Sequence, residues 1–132
     1  MIMGIWEYDW EPFEVVTDDG YTLTLMHVTK KSGWFQKPVD EKLAPVLVQP
    51  PMGSSPHSWL EIDLTPYPAE TPMLLKLRDA GHDLWFTYSR GTDYSNKHET
   101  YAYDSAEFWD FSWEDMGVGD IKAALSFVNA KT

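Results

Sequence analysis

The sequence predicts an α/β fold: an antiparallel hairpin opening a sheet that parallel strands and packing helices continue. Three observations carry that expectation. Two β-rich runs, Phe13–Thr17 and Tyr21–Thr29, flank Asp18-Asp19-Gly20, a strong hairpin-turn signal. Two short runs, Pro45–Gln49 and Leu84-Trp85-Phe86, have the unbroken apolar character of strands buried on both faces. Helix-period segments alternate with them.

Taken in order, the hairpin is followed by Lys30–Ala44, whose Lys, Ser, Gly, Gln, Pro and Asp read as a polar surface loop. After the apolar strand at Pro45–Gln49, Pro50–Pro72 holds six prolines and reads as irregular. Thr71 is placed to cap a helix and Pro72 to fill its first turn. Leu74, Leu75 and Leu77 then point inward, and Gly81 ends the helix. The strand at Leu84–Phe86 leads into a long polar and aromatic loop. Asp120 is expected to cap a last helix, with Ile121, Ala124, Leu125 and Val128 on its buried face. No repeat or low-complexity stretch divides the chain, so residues 1–132 read as one domain.

Composition bounds the function. The chain is 43% hydrophobic and 15% aromatic, well above a disordered segment. No apolar run approaches the ~20 residues of a membrane-spanning helix. The net charge of −11 opposes nucleic acid and anionic membrane surfaces. Met1–Trp10 carries Glu7 and Asp9 without a basic stretch, unlike a secretory leader. There is no cysteine, so neither a disulfide framework nor thiolate chemistry is available. His27, His57, His82 and His98 are scattered without metal-ligand spacing, and neither a metal nor a cofactor is expected. Glu107, Asp110, Glu114 and Asp115 suggest paired carboxylates. They read better as a solvated face alternating with buried Phe108, Trp109, Phe111 and Trp113.

The most specific stretch is residues 81–119. A strand at Asp83–Tyr88 runs into Ser89-Arg90-Gly91, then Tyr94-Ser95-Asn96-Lys97-His98, then the acidic-aromatic block Glu107–Met116. This order, with its rare Trp, Phe and Met positions, resembles the N-terminal half of the acid lipases, the lysosomal and gastric branch of the α/β-hydrolases. In that family the block takes the form EFWDFSWDEM. The resemblance extends to Trp6, to Phe13–Leu23 (the family's opening hairpin, typically E-V-x-T-x-D-G-Y-x-L), to Val46–Gln49, and to Trp59 ten residues beyond Gln49. It implies the N-terminal part of an α/β-hydrolase sheet, its first four strands lying in the order 1, 2, 4, 3. In these lipases the next element carries the nucleophilic serine in G-x-S-x-G. No such motif occurs in residues 1–132, and no catalytic residue is expected within them.

The resemblance implies two functional features. The strand order leaves Val46, Leu47 and Val48 on a free apolar edge, which calls for a protein partner that completes or covers it. In the family the third strand ends in Q-H-G-L, and the N–H after the glycine serves the oxyanion hole. Here Gln49-Pro50-Pro51-Met52 puts Met52 at the donor position, with two prolines where His and Gly stand. Arg90, amid Asp83, Asp93 and Asp104, is expected to anchor the Gly91–Tyr103 loop, and His98 to hydrogen-bond within it. Three readings are open. One is a lipase-derived structural or accessory subunit without its own triad. Another is the N-terminal chain of a split or processed lipid-ester hydrolase, with lipid as substrate only once completed. The third is a small carbohydrate-binding module. The family is secreted or lysosomal, but nothing in the sequence fixes a compartment.

Overall fold

The chain's computed structural model describes residues 8–30, 42–54, 56 and 73–132. Trp6, His57, Trp59, Thr71 and Pro72 lie outside them. The sheet comprises β1 (Tyr8–Val16), β2 (Tyr21–Lys30), β3 (Val46–Val48) and β4 (Leu84–Thr87) in the order β1-β2-β4-β3. A short β5 (Lys97–His98) pairs with the start of β2. β1, β2 and β4 are antiparallel neighbours, and β3 runs parallel to β4 with Leu47 opposite Trp85. This is the strand order that the resemblance implied.

The hairpin is longer than the sequence suggested, starting at Tyr8 rather than Phe13. Pro12 did not stop it because β1 lies at the sheet's end, where a strand tolerates a missing donor. At the turn, the Gly20 N–H donates to the Thr17 carbonyl at 3.0 Å, and Gly20 adopts φ +95°. A Cβ there would lie 2.9 Å from the His98 ring, so glycine is required on both counts.

Strand alternation divides the side chains between two cores. Tyr8, Val28, Leu84 and Phe86 pack on one face with Leu74 and Leu75 of α1 (Met73–Asp79), and Val46 and Val48 of β3 join them. Leu23, Leu25, Trp85 and, from β3, Leu47 pack on the other face with Phe108 and the final helix. The sheet is thus a middle layer. This explains why β3 and β4 are apolar at nearly every position. α1 ends at Asp79, and Gly81 comes next but one at φ +106°, its N–H returning to the Arg78 carbonyl at 3.0 Å.

The last helical region departs from expectation. Asp120 is not a cap. The region begins with a short α2 (Trp113–Asp115), widens into a π-helical stretch at Met116–Ile121, and continues as α3 (Lys122–Lys131). Its cap is Ser112. The hydroxyl accepts from the Asp115 N–H at 3.2 Å, and the Asp115 carboxylate accepts the Ser112 N–H at 2.8 Å, a capping box. The π stretch turns Asp120 inward and shifts the phase of α3. Ala124 and Val128 are buried as expected, whereas Leu125 is 53% exposed.

Trp85 is the largest side chain at the centre. It is buried, donates Nε1–H to Asp83 Oδ2 at 2.8 Å, and stacks on His27 with ring centroids 4.3 Å apart. Trp85→Ala should destabilise the chain by about 3–5 kcal/mol, read by thermal or denaturant unfolding. An unchanged midpoint would contradict this account of the core.

Candidate functional site

Ligand sites in sheets of this kind form beyond the carboxyl ends of the parallel strands, here Val48 of β3 and Thr87 of β4. β3 runs out at Gln49, whose carboxamide ties the two strand ends together. Its Oε1 accepts from the Thr87 hydroxyl, while Nε2 donates to Ser89 Oγ and, at 3.2 Å, to the Pro50 carbonyl. The chain then turns through Pro51-Met52-Gly53-Ser54. The Ser54 N–H closes the turn on the Pro51 carbonyl at 3.0 Å, and Gly53 sits at φ +73°, the positive value expected of the third turn position.

A turn closed in this way uses the N–H of its last residue and leaves that of its second residue unused. Among the described residues the Met52 amide has no hydrogen-bond partner, and Met52 is 58% exposed. It lies between two depressions. A cleft of about 730 Å³ is lined by Met52, Tyr88, Tyr94, Trp109, Phe111 and Met116 among others. A smaller pocket of about 180 Å³ lies between Gln49, Met52, Ser89, Trp113 and Ile121. The aromatic block expected to alternate between buried and solvated therefore does so only in part. Phe108 is fully buried, but Trp109 is 46% and Trp113 77% exposed, because a 3₁₀ turn at Glu107–Trp109 and α2 succeed one another without a strand-like period.

The loop carrying this wall hangs from Arg90, although its partners are not the Asp83, Asp93 and Asp104 suggested by sequence proximity. Arg90 Nη1 lies 2.6 Å from Asp19 Oδ2 of the hairpin turn, and Nη2 lies 2.7 Å from Asp120 Oδ1 of the π stretch. The Arg90 backbone N–H also reaches Asp120, at 3.1 Å, and the guanidinium lies over the Tyr21 ring at 4.0 Å. Burial alone would lower the Arg90 pKa, but its hydrogen bonds to Asp19 and Asp120 raise it. Burial likewise pushes Asp120 up, and Arg90 offsets only part of that. At Asp19 burial raises the carboxyl less than Arg90 and Thr17 together lower it, so it sits below its ordinary value.

His98 makes its contacts within and beside the same loop. Nδ1 accepts the Thr100 and Tyr101 N–H groups at 2.9 and 3.1 Å, leaving Nε2–H to donate to the Asp19 carbonyl at 2.8 Å. Asp83 is engaged elsewhere, 2.6 Å from His27 Nε2. β3 pairs only with β4 among the described residues. The Val46 N–H is given to the Asp83 carbonyl at 2.8 Å. Alternate residues of a parallel strand address opposite neighbours, so the Leu47 N–H and C=O face the open edge. Among the described residues no group of three or more His, Asp and Glu is placed to hold a metal ion, and no helix is long and apolar enough to cross a membrane.

Sequence reasoning missed Gln49, Thr87 and Ser89 as a unit, and Asp19 and Asp120 as the partners of Arg90. Polar residues clustered at the ends of two apolar strands were the available signal for the first group. The second pairing joins residues far apart in sequence and has no local signature.

Comparison with known proteins agrees with this geometry. Residues 1–62 match the model of the partial α/β-hydrolase lipase region. Over 130 residues the chain is 34% identical to the gastric triacylglycerol lipase of Mus musculus, and over 131 residues 35% identical to that of Homo sapiens. Each match spans 96% of this chain. It is 34% identical over 126 residues to a putative lysosomal acid lipase/cholesteryl ester hydrolase of Crotalus adamanteus, spanning 95% of this chain. The chain covers 30% of the length of each of these relatives. It belongs to the α/β-hydrolase family. Within that family it corresponds to the N-terminal part of the acid lipases.

The opposed shifts at Arg90's partners give a pH test. A lowered folded-state pKa contributes stability above the unfolded value, and that contribution is lost as pH falls through the folded value. For Asp19 it is therefore present above 3.8 and disappears below it. Asp120, being raised, has the opposite sign, contributing below 3.8 and losing that contribution as pH rises through its folded value. The gap in melting temperature between the native chain and Asp19→Asn should be widest near neutral pH and narrow below 3.8. A gap that is constant across that range would refute the assignment.

Proposed function

We propose that this segment is the oxyanion side of a lipid-ester hydrolase of the acid-lipase type. It supplies the Met52 amide and half of the sheet, and polypeptide beyond it supplies the nucleophile strand along β3. The observation that carries the reading is the Met52 N–H, without a hydrogen-bond partner among the described residues, beyond the carboxyl end of β3 on the rim of an open cleft. When a serine attacks an ester carbonyl, negative charge gathers on the carbonyl oxygen. A fixed amide aimed at that oxygen lowers the barrier by about 3 kcal/mol. Proton transfer and nucleophilic attack belong to a Ser-His-Asp triad outside residues 1–132. The open edge of β3, with the Leu47 N–H and C=O facing outward, is where the completing strand pairs, and the exposed Trp113, which lines a pocket with Gln49 and Met52, awaits the same neighbour.

Pro50 and Pro51 favour a second reading, a structural or accessory subunit derived from such a lipase. Each proline removes an N–H from the loop. A fluorophosphonate probe that labels reactive serines separates the two. Applied to the native assembly isolated through this segment, it should label a serine outside residues 1–132, and purified residues 1–132 alone should not hydrolyse p-nitrophenyl butyrate above background. An assembly that takes no label supports the accessory role instead. Leu47→Lys places a charge on the open strand and should release the completing partner on size exclusion, leaving the β1–β2 hairpin folded. Unchanged assembly would remove β3 from the interface.

A further inference from the structure

Resting on the oxyanion reading above, we infer that Gln49 is the positioning residue for that site: it aims the Met52 amide by clamping the loop's entry to the end of β4. The clamp is saturated. Both Nε2 hydrogens are used, one on Ser89 Oγ and one on the Pro50 carbonyl, while Oε1 takes the Thr87 hydroxyl. Thr87 and Ser89 are buried, and Gln49 is half-buried. A carboxamide suits this place because Glu has no N–H to give the Pro50 carbonyl and would face it with an acceptor oxygen.

The two prolines carry the constraint forward. With φ fixed at Pro50 and Pro51 and planar peptide bonds between them, only the ψ angles of Gln49, Pro50 and Pro51 remain free between the clamping side chain and Met52. The turn at Pro51–Ser54 then holds the far side. A donor pinned from both sides needs no reorganisation as charge develops, which is what makes such donors effective. The prolines remove two N–H groups, but they also make a rigid spacer of a stretch that elsewhere in the family contains glycine.

The test uses Gln49→Met, which keeps the side chain's length and removes its hydrogen bonds. In the full chain, exchange of the Ser54 amide should quicken at least about tenfold as the turn loosens, while the Phe86 amide of β4 stays protected. In the complete hydrolase, kcat on p-nitrophenyl butyrate should fall about 10- to 100-fold with KM nearly unmoved, the pattern of a misaimed transition-state contact. Gln49→Glu should be no better, and Ser89→Ala should move kcat the same way by less. Met52→Pro, compatible with the second position of this turn but lacking the N–H, should lie about 10²-fold below Met52→Ala. Equal turnover in the two Met52 variants overturns the oxyanion reading and this proposal with it. A loss at Met52→Pro with unmoved kcat at Gln49→Met overturns this proposal alone, whatever the Ser54 exchange.

Discussion

The Arg90 guanidinium has no exposed surface and sits between a hairpin turn, a strand end and a helix, whereas the other ion pair joining turn and helix, Lys122 to Asp18 at 2.7 Å, is exposed. Removing one partner from a buried charge is destabilising by about 3–5 kcal/mol, since the survivor is left uncompensated. The geometry around it is arranged accordingly. Asp19 must lie in the β1–β2 turn, so the turn must bring residue 19 over the end of β4. Asp120 must face inward, and the π-helical widening at Met116–Ile121 brings it there. Gly119 must lack a side chain, because a Cβ would lie 2.6 Å from Arg90 Nη2. The loop that walls the Met52 cleft is fixed at one end by Arg90 and near its middle by His98 and Ser95. The Ser95 hydroxyl donates to the Tyr88 carbonyl at 2.7 Å and accepts the Thr24 N–H at 2.9 Å.

The range of the forces involved decided which features the sequence disclosed. The hairpin was legible because Asp18-Asp19-Gly20 specifies it locally. β3 and β4 were legible because burial on both faces leaves an unbroken apolar run. The strand order came from resemblance and not from any local pattern. Asp120 was misread because an Asp before an apolar helical period has the local form of a cap, whereas its actual role is set by Arg90, thirty residues away in sequence. Ser112, with Asp115 three residues on, carried the true start signal, hidden inside a block read as alternating. Trp109 and Trp113 were misplaced for the same reason: three kinds of helical turn in succession share no period.

The exposure of those tryptophans is informative once the fold is known. Met52, Trp109 and Trp113 are exposed around the carboxyl ends of β3 and β4, the rim where this fold places its chemistry. The opposite situation holds across the rest of the sheet, where Leu23, Leu25, Leu84, Trp85 and Phe86 are all sealed between α1 and α3. A segment with a complete core on one side and an apolar rim on the other has the energetics of a domain part whose remaining contacts come from elsewhere. The three half-buried residues of β3 are the narrowest point of that boundary.

β3 is also the strand least able to position anything unaided. Three residues give a parallel ladder only a few hydrogen bonds, and parallel pairing is slightly weaker per residue than antiparallel. A catalytic donor carried on its end would inherit that looseness. In this chain the side chain of Gln49 extends the tie to β4 past the point where the backbone ladder stops, reaching Thr87 and Ser89 in turn. Thr87 belongs to the strand that Leu25 of β2 pairs with, and Ser89 immediately precedes Arg90. The Met52 turn is thereby coupled through Gln49 to the same strand end that the Arg90 cluster fixes. Order at this rim depends on the buried ion cluster behind it rather than on the short strand that leads to Met52.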